Sequence, residues 1–260
     1  MPKRRAEEET TQSLDLTSGD GPSTLQMIRP FKKETATEFL YQKPPISVFS
    51  SRRFSKRLLL IGISEICRKR LGVPKDEFIL KIAGDVKVQV LNPYDLSGSS
   101  EAIFLKKLIQ KIFMMAENGW LSKVIMKIGT DDGKQLELYA FSLKERPICN
   151  EMDEHAVVDL TQDENAQLRT EVEDLIQALH KKLPTTPLGD VKFSCQVAVN
   201  HLAPKKIDLE GFNTADAATM ERPRVLFKRH CKTKFHEIDG VGVQALESDE
   251  EYEVESAFGW

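Results

Sequence analysis

Residues 120–143 read WLSKVIMKIGTDDGKQLELYAFSL, and they decide the architecture. Val124 to Ile128 is one apolar-rich extended run and Gln135 to Leu143 is a second. Between them, Asp131-Asp132-Gly133 is a turn signal, because Gly takes the positive φ that tight hairpin turns require. Strands joined this closely run antiparallel. The two aspartates could be read as paired acid/base carboxylates, but turn chemistry accounts for both.

Working toward the C-terminus, residues 145–160 are polar, acidic and loop-like. Thr161 and Glu164 have capping-box spacing, which predicts a helix running to Leu183. Leu168, Val172, Leu175, Ile176 and Leu179 form its apolar stripe, and Pro184 and Pro187 end it. Val191, Phe193, Cys195, Val197 and Val199 then alternate with Lys192, Ser194, Gln196, Ala198 and Asn200, which predicts a half-buried strand. A connector containing Pro, Gly and Asn reaches to about Arg222. Val225, Phe227, Cys231 and Phe235 next alternate with Lys228, His230, Lys232 and Lys234, which reads as a last strand with the first four facing inward. From Gly240 and Gly242 onward the chain reads as an acidic tail.

Toward the N-terminus, Ser99 and Ser100 are N-cap candidates for a helix from Glu101 to Asn118, with Leu105, Leu108, Ile109 and Ile112 on its stripe and Gly119 at its end. Residues 79–91 read as extended segments. Ser47 to Leu71 has helical periodicity: Phe54, Leu58, Ile61 and Glu65 share a stripe that Leu59, Ile63 and Ile66 widen, with Arg52, Arg53, Lys56 and Arg57 facing away. Residues 1–45 are rich in Ser, Thr, Gly and acids at first and show no periodicity, which predicts a flexible segment closed by Pro44-Pro45. The order of elements is that of an α+β domain, an antiparallel sheet with three helices packed on one face. Its strands must pair across long sequence separations, so one domain over 46–240 is expected, followed by an acidic disordered tail over 241–260.

Composition narrows the function. The 260-residue chain has a net charge of −3, so bulk charge does not point to nucleic acid. Its apolar runs fall far short of the roughly 20 residues that span a bilayer, so no membrane contact is expected. The start, MPKRRAEEE, lacks the apolar stretch of a secretory signal, and Lys3 to Arg5 are a candidate minimal nuclear signal, or a basic run of the kind common by chance at a terminus. Cys67, Cys149, Cys195 and Cys231 have no paired spacing, which predicts free thiols. His230, Cys231 and His236 lie close together, but strand alternation sends His230 and Cys231 to opposite faces, so no metal site and no cofactor are expected. Phosphate loops, nucleophile elbows and zinc-protease motifs are absent, and no enzyme is expected. Lys228, Lys232 and Lys234 are candidate phosphate contacts, or the solvated face of an edge strand.

Four segments in order carry a resemblance to the HORMA-domain family, and within it to the meiotic chromosome-axis type. FSKRLLLIGISEICRKRLGV, from Phe54 to Val73, resembles its opening helix. Leu121, Val124, Ile128, Glu137, Tyr139, Phe141 and Ser142 match its central hairpin. Residues 165–199 fit the next helix and strand. HLAPKKIDLEGF, from His201 to Phe212, resembles the connector of the meiotic branch through Pro204, Gly211 and Phe212. The chain departs from that branch at Val199, Asn200, His201, Ile207 and Leu209.

The resemblance implies capture of a short closure-motif peptide as an added strand. The edge strand Val191, Phe193, Cys195, Val197 and Val199 would receive it. A safety belt, residues 203–240, would then close over the guest, with Pro204, Gly211 and Phe212 in its connector and Val225, Phe227, Cys231 and Phe235 on its inner side. It implies closure motifs of axis proteins as partners, the chain's own paralogues among them. It also implies an AAA+ remodelling ATPase with its adaptor, acting on residues 1–45, and an indirect link to chromatin. The expected location is the nucleus, on meiotic chromosomes, in support of synapsis and recombination. Ala257, Phe258, Gly259 and Trp260 are a candidate closure motif of the chain's own, or a frayed terminus.

Overall fold

In the computed structural model the described residues are 39–41, 45–212, 220 and 223–245. Three helices lie among them. α1 (Val48–Arg70) starts at Ser47, whose side chain accepts from Ser50 N while Ser50 Oγ accepts from Ser47 N. α2 (Ser100–Glu117) is capped by Ser99. α3 (Gln162–Lys182) carries the capping box expected from Thr161 and Glu164. Each cap satisfies donors that the first helical turn would otherwise leave bare. No helix among the described residues is long and apolar enough to cross a membrane.

Two sheets complete the fold. β1 (Phe78–Ala83) and β2 (Val86–Leu91) form a separate antiparallel pair turning at Gly84. The main sheet holds β3 (Leu121–Gly129), β4 (Gln135–Glu145), β5 (Lys192–Val199), β6 (Pro223–Lys232) and β7 (His236–Ala245). Its order is β5-β3-β4-β7-β6, every pair antiparallel. This is the α+β arrangement expected from the sequence, with the helices on one face. Phe54, Ile66, Ile112, Val124, Tyr139, Phe141, Val172 and Ile176 meet in one buried cluster between helices and sheet.

α1 is buried nearly all round, not on one stripe alone. Arg52 bonds Glu145 and Glu154, and Lys56 pairs with Glu117, so of the four cations expected to face away only Arg53 is exposed. Gly62 makes the close approach to the sheet possible, since a Cβ there would stand 2.7 Å from Phe141 Cζ. At the far end of α1, Arg70 donates to both carboxylate oxygens of buried Glu137, which also accepts from Tyr139 Oη at 2.7 Å. Arg70 Nη1 further donates to Thr186 O in the segment leading to β5. Lys69 donates to Leu179 O and Leu183 O, closing the C-terminal carbonyls of α3.

Three expected boundaries move. Phe39 and Leu40 are buried, Phe39 N bonds Ile82 O at 2.7 Å, and Tyr41 packs on Phe54. The packed domain therefore reaches back before residue 46, because an apolar Phe-Leu-Tyr run follows the polar segment. The last strand is two: β6 and β7 form a hairpin, with Phe235 in its turn. β7 runs to Ala245, so the packed domain passes residue 240. The rest of 1–45 and of 241–260 lies outside the described residues.

Candidate peptide-docking edge

β5 is an edge strand. It pairs with β3 through Val124↔Val197, Met126↔Cys195 and Ile128↔Phe193, and no strand among the described residues pairs with its other side. Phe193, Cys195, Val197 and Val199 share the helix-side face, where their β3 partners Val124, Met126 and Ile128 are fully buried. Cys195 is buried too, but Phe193, Val197 and Val199 are half-buried, and so is Val191, which lies one residue before the strand. An edge with no outer partner strand among the described residues and with half-covered apolar side chains is a template for another strand. Burial pushes the Cys195 thiol up to about 12, and it raises Cys67 and Cys231 as well. These are core thiols, not nucleophiles.

The end of β5 is pinned. Asn200 N bonds Trp120 O at 2.8 Å and its side-chain amide donates to Gly119 O at 2.6 Å. Gly119, at φ 69, ends α2 with Gly119 N and Trp120 N bonding Ala116 O and Met115 O. The chain then turns onto α2. Lys111 Nζ pairs with Asp208 at 2.8 Å and donates to Glu210 O at 2.7 Å. Gly211, at φ 89, sits so close that a Cβ would stand 3.1 Å from Leu108 Cδ2. Ile207 and Phe212 pack against the core, while Pro204 is exposed. The chain is next in the sheet at Pro223, on the opposite edge from β5. Residues 200–222 thus link the two margins of the sheet.

At that far margin the hairpin β6–β7 is docked beside β4. Phe227 reaches over β7 and stacks on Tyr139 with ring centroids 6.4 Å apart. Gly242 permits this, since a Cβ there would lie inside contact distance of the Phe227 ring and 3.0 Å from Tyr139 Cδ1. Phe227, Cys231 and Phe235 are buried as expected. Val225 is not: it is 41% exposed. The strand slips register between Val225 and Phe227. The extra residue, Leu226, puts Val225 and Phe227 on opposite faces, although they stand two apart.

Buried polar groups tie the hairpin down. His236 Nδ1 meets Ser51 Oγ at 2.7 Å, and Ser51 Oγ meets Thr233 Oγ1 at 2.8 Å. Arg146 N donates to Phe235 O and Cys149 Sγ donates to the same oxygen. His236 Nε2 stands 3.5 Å from Glu145 Oε1, and His236 first, then Arg52, holds the Glu145 carboxyl below its ordinary range. A serine, histidine and glutamate in line could serve nucleophilic catalysis only if the hydroxyl reached a cleft. Ser51 is fully buried under the hairpin, so the trio is a clasp.

The expected phosphate contacts do not converge. Lys232 pairs with Glu237 at 3.7 Å and its N–H donates to Glu171 at 2.7 Å. Lys234 lies in the turn, 3.8 Å from Glu164. Lys228 alone of the three has no charged partner among the described residues. Carboxylates from α3 and β7, invisible in the local sequence, neutralise much of this run. Among the described residues no group of three or more His, Cys, Asp or Glu is placed to hold a metal ion.

The sequence reading missed Ser51, His236 and the glycines of β7. The first two lie 185 residues apart, and only their residue types hinted at a polar pair. In β7 the spacing of Val241 and Val243 was the available signal, hidden because glycine occupies the alternate positions.

No protein-family model matches the chain, and no curated protein sequence does either. Solved structures match its shape. One is C. elegans HTP-2 bound to the HIM-3 closure motif, with 14% identity, TM-score 0.60, and 80% of this chain and 97% of that one covered. Another is C. elegans HTP-1 bound to HTP-3 motif-1, with 14% identity, TM-score 0.60, and coverage of 82% and 99%. A chain in the crystal structure of the mitotic checkpoint complex matches at 14% identity and TM-score 0.57, with coverage of 78% and 98%. Identity this low speaks to fold and not to function. The chain has the HORMA fold.

Proposed function

We propose that this chain is a non-enzymatic adaptor that captures a short closure-motif peptide as a sixth strand along β5. The observation that carries the reading is the contrast of margins: β5 lacks an outer partner among the described residues while the C-terminal hairpin is docked on the opposite side of the sheet. The connector between them supplies the encircling belt. The guest's main chain would bond the β5 edge, and its alternate side chains would rest on Val191, Phe193, Val197 and Val199. Release would require the hairpin to leave β4, so dissociation should be slow. The structures of HTP-1 and HTP-2 with closure motifs support this reading by analogy of fold.

The finer reading is a meiotic chromosome-axis adaptor in the nucleus, supporting synapsis and recombination and reopened by an AAA+ ATPase with its adaptor pulling on residues before Phe39. The connector HLAPKKIDLEGF supports that branch. A checkpoint or DNA-repair adaptor is the alternative, favoured by the likeness to a chain of the mitotic checkpoint complex. The test is a peptide-array screen with the full chain, repeated with Phe193→Lys and Val197→Lys. Retained folding with lost capture supports the edge; unchanged capture overturns it. Immunolocalisation in germ cells separates the branches: signal along paired chromosomes supports the axis role, and signal confined to kinetochores removes it.

A further inference from the structure

The segment between α3 and β5 begins LPTTPL, residues 183–188. The chain holds 12 prolines, and Pro187 alone follows a serine or threonine. Pro184 stands two residues before Thr186, so proline brackets this threonine on both sides. Each proline fixes its own φ and pushes the preceding residue to extended backbone. Leu183 shows the effect: at φ −69 and ψ 127 it ends α3 in an extended conformation.

Thr185, Thr186 and Pro187 are exposed, while Pro184 and Leu188 are half-buried. Tethers hold the segment to the end of α1. Arg70 Nη1 donates to Thr186 O and, at 3.5 Å, to Pro184 O. Leu188 N donates to Arg70 O at 3.2 Å, and Pro187 lies beside Gly72. An exposed hydroxyl on an extended loop held by such bonds can enter an enzyme's cleft without unfolding the domain. A proline just after the hydroxyl has no N–H to leave unsatisfied in an apolar pocket, and proline-directed kinases read that feature.

We propose that Thr186 is a phosphoacceptor for a proline-directed kinase, and that its phosphate loosens the entry to β5. In the transfer, Thr186 Oγ1 attacks the γ-phosphorus of ATP. The bond to the bridging oxygen breaks, ADP leaves, and the hydroxyl proton passes to the kinase's catalytic aspartate. The product carries roughly two negative charges at neutral pH. Its surroundings set the sign of the effect. Arg70, whose guanidinium reaches Thr186 O, already has its charge matched by buried Glu137. Lys69 is matched by Glu65 at 3.4 Å and is engaged by the carbonyls of Leu179 and Leu183 at the end of α3. A dianion placed just after a helix C-terminus also meets the negative end of the helix dipole. The phosphate therefore stays in water and draws Thr186 O away from Arg70. Residues 184–191 then lose a tether, and half-buried Val191 and Phe193 at the head of the edge strand are held less firmly.

The test incubates the folded full chain with ATP, Mg²⁺ and a proline-directed kinase of the mitogen-activated class, then maps the product by mass spectrometry and amide hydrogen exchange. No guest peptide enters, so the outcome is independent of capture along β5. Phosphate is expected on Thr186, with Thr185 left bare and Thr186→Ala unlabelled there. Pro187→Ala should slow the transfer about tenfold or more, the factor that one unsatisfied donor carries. In the phosphorylated wild-type chain, amides of 184–193 should exchange about tenfold faster, while α2 stays unchanged and reports an intact fold. No transfer to the folded chain, phosphate on other residues alone, or an unmoved rate for Pro187→Ala would overturn the site. Unchanged exchange, or slower exchange from the lysines of α3's last turn gripping the phosphate, would overturn the loosening.

Discussion

The two margins of the main sheet are built differently. At the β6–β7 margin, Phe227, Cys231, Phe235 and Ile238 are buried, and His236, Ser51 and Thr233 bond one another out of water. At the β5 margin, Phe193, Val197 and Val199 stay half-covered and the outer backbone has no partner strand among the described residues. A finished margin draws its stability from burial. A margin left with half-covered apolar side chains and no outer strand among the described residues stays open to a strand, at the risk of accepting the wrong one. The contrast separates a margin that the chain completes itself from one that it leaves half-covered.

The contrast can be broken most severely at the finished margin. Phe227→Ala removes the ring stacked on Tyr139 and should cost about 3–5 kcal/mol in urea unfolding, with faster release of any captured peptide. A loss below about 1 kcal/mol would mean the hairpin is not anchored there. His236→Ala leaves Ser51 short of a buried partner and should cost about 1–3 kcal/mol by the same measurement.

The acid limb sharpens the contrast further. Glu145 is held below its ordinary range by His236 and Arg52, so its folded-state pKa lies under its unfolded one. Its stabilisation is complete above about pH 4.3 and fades as pH falls through the lower, folded value. Thermal midpoints should drop on acidification, and Glu145→Gln should lose part of that slope; an identical slope would discount the clasp.

Val197→Lys, at the unfinished margin, should cost no more than about 1 kcal/mol, since lysine can extend its charge from a half-buried edge. Capture should nevertheless fall at least about tenfold if the edge is the docking strand. Smallest of all, Cys67, Cys195 and Cys231 should resist iodoacetamide at neutral pH in the folded chain, and half-buried Cys149 should label first. Rapid labelling of Cys195 would show that the β5 region opens without a guest.

Much of this fold is legible in local chemistry. Thr161 with Glu164, Ser99 before α2 and Gly133 in the β3–β4 turn announce their elements, because caps and turns are decided by a few adjacent residues. The alternation from Phe193 to Val199 shows a strand with one apolar side. It does not show that the strand is an edge, since pairing is a property of neighbours about 70 residues away. Val225 misled for a similar reason: period two predicts an inward residue, and the slip at Leu226 reverses it. The basic run from Lys228 to Lys234 looked free because its acidic partners, Glu237 and Glu164, belong to other elements.

By itself the sequence determined the elements, their order and the one-sided amphipathicity that forces helices onto a sheet, because periodicity and capping act over a few residues. The tertiary structure alone decided which strand became the open margin, where the hairpin docks, and that Ser51 and His236 form a clasp. Those outcomes rest on contacts between residues far apart in the chain, which no local pattern encodes.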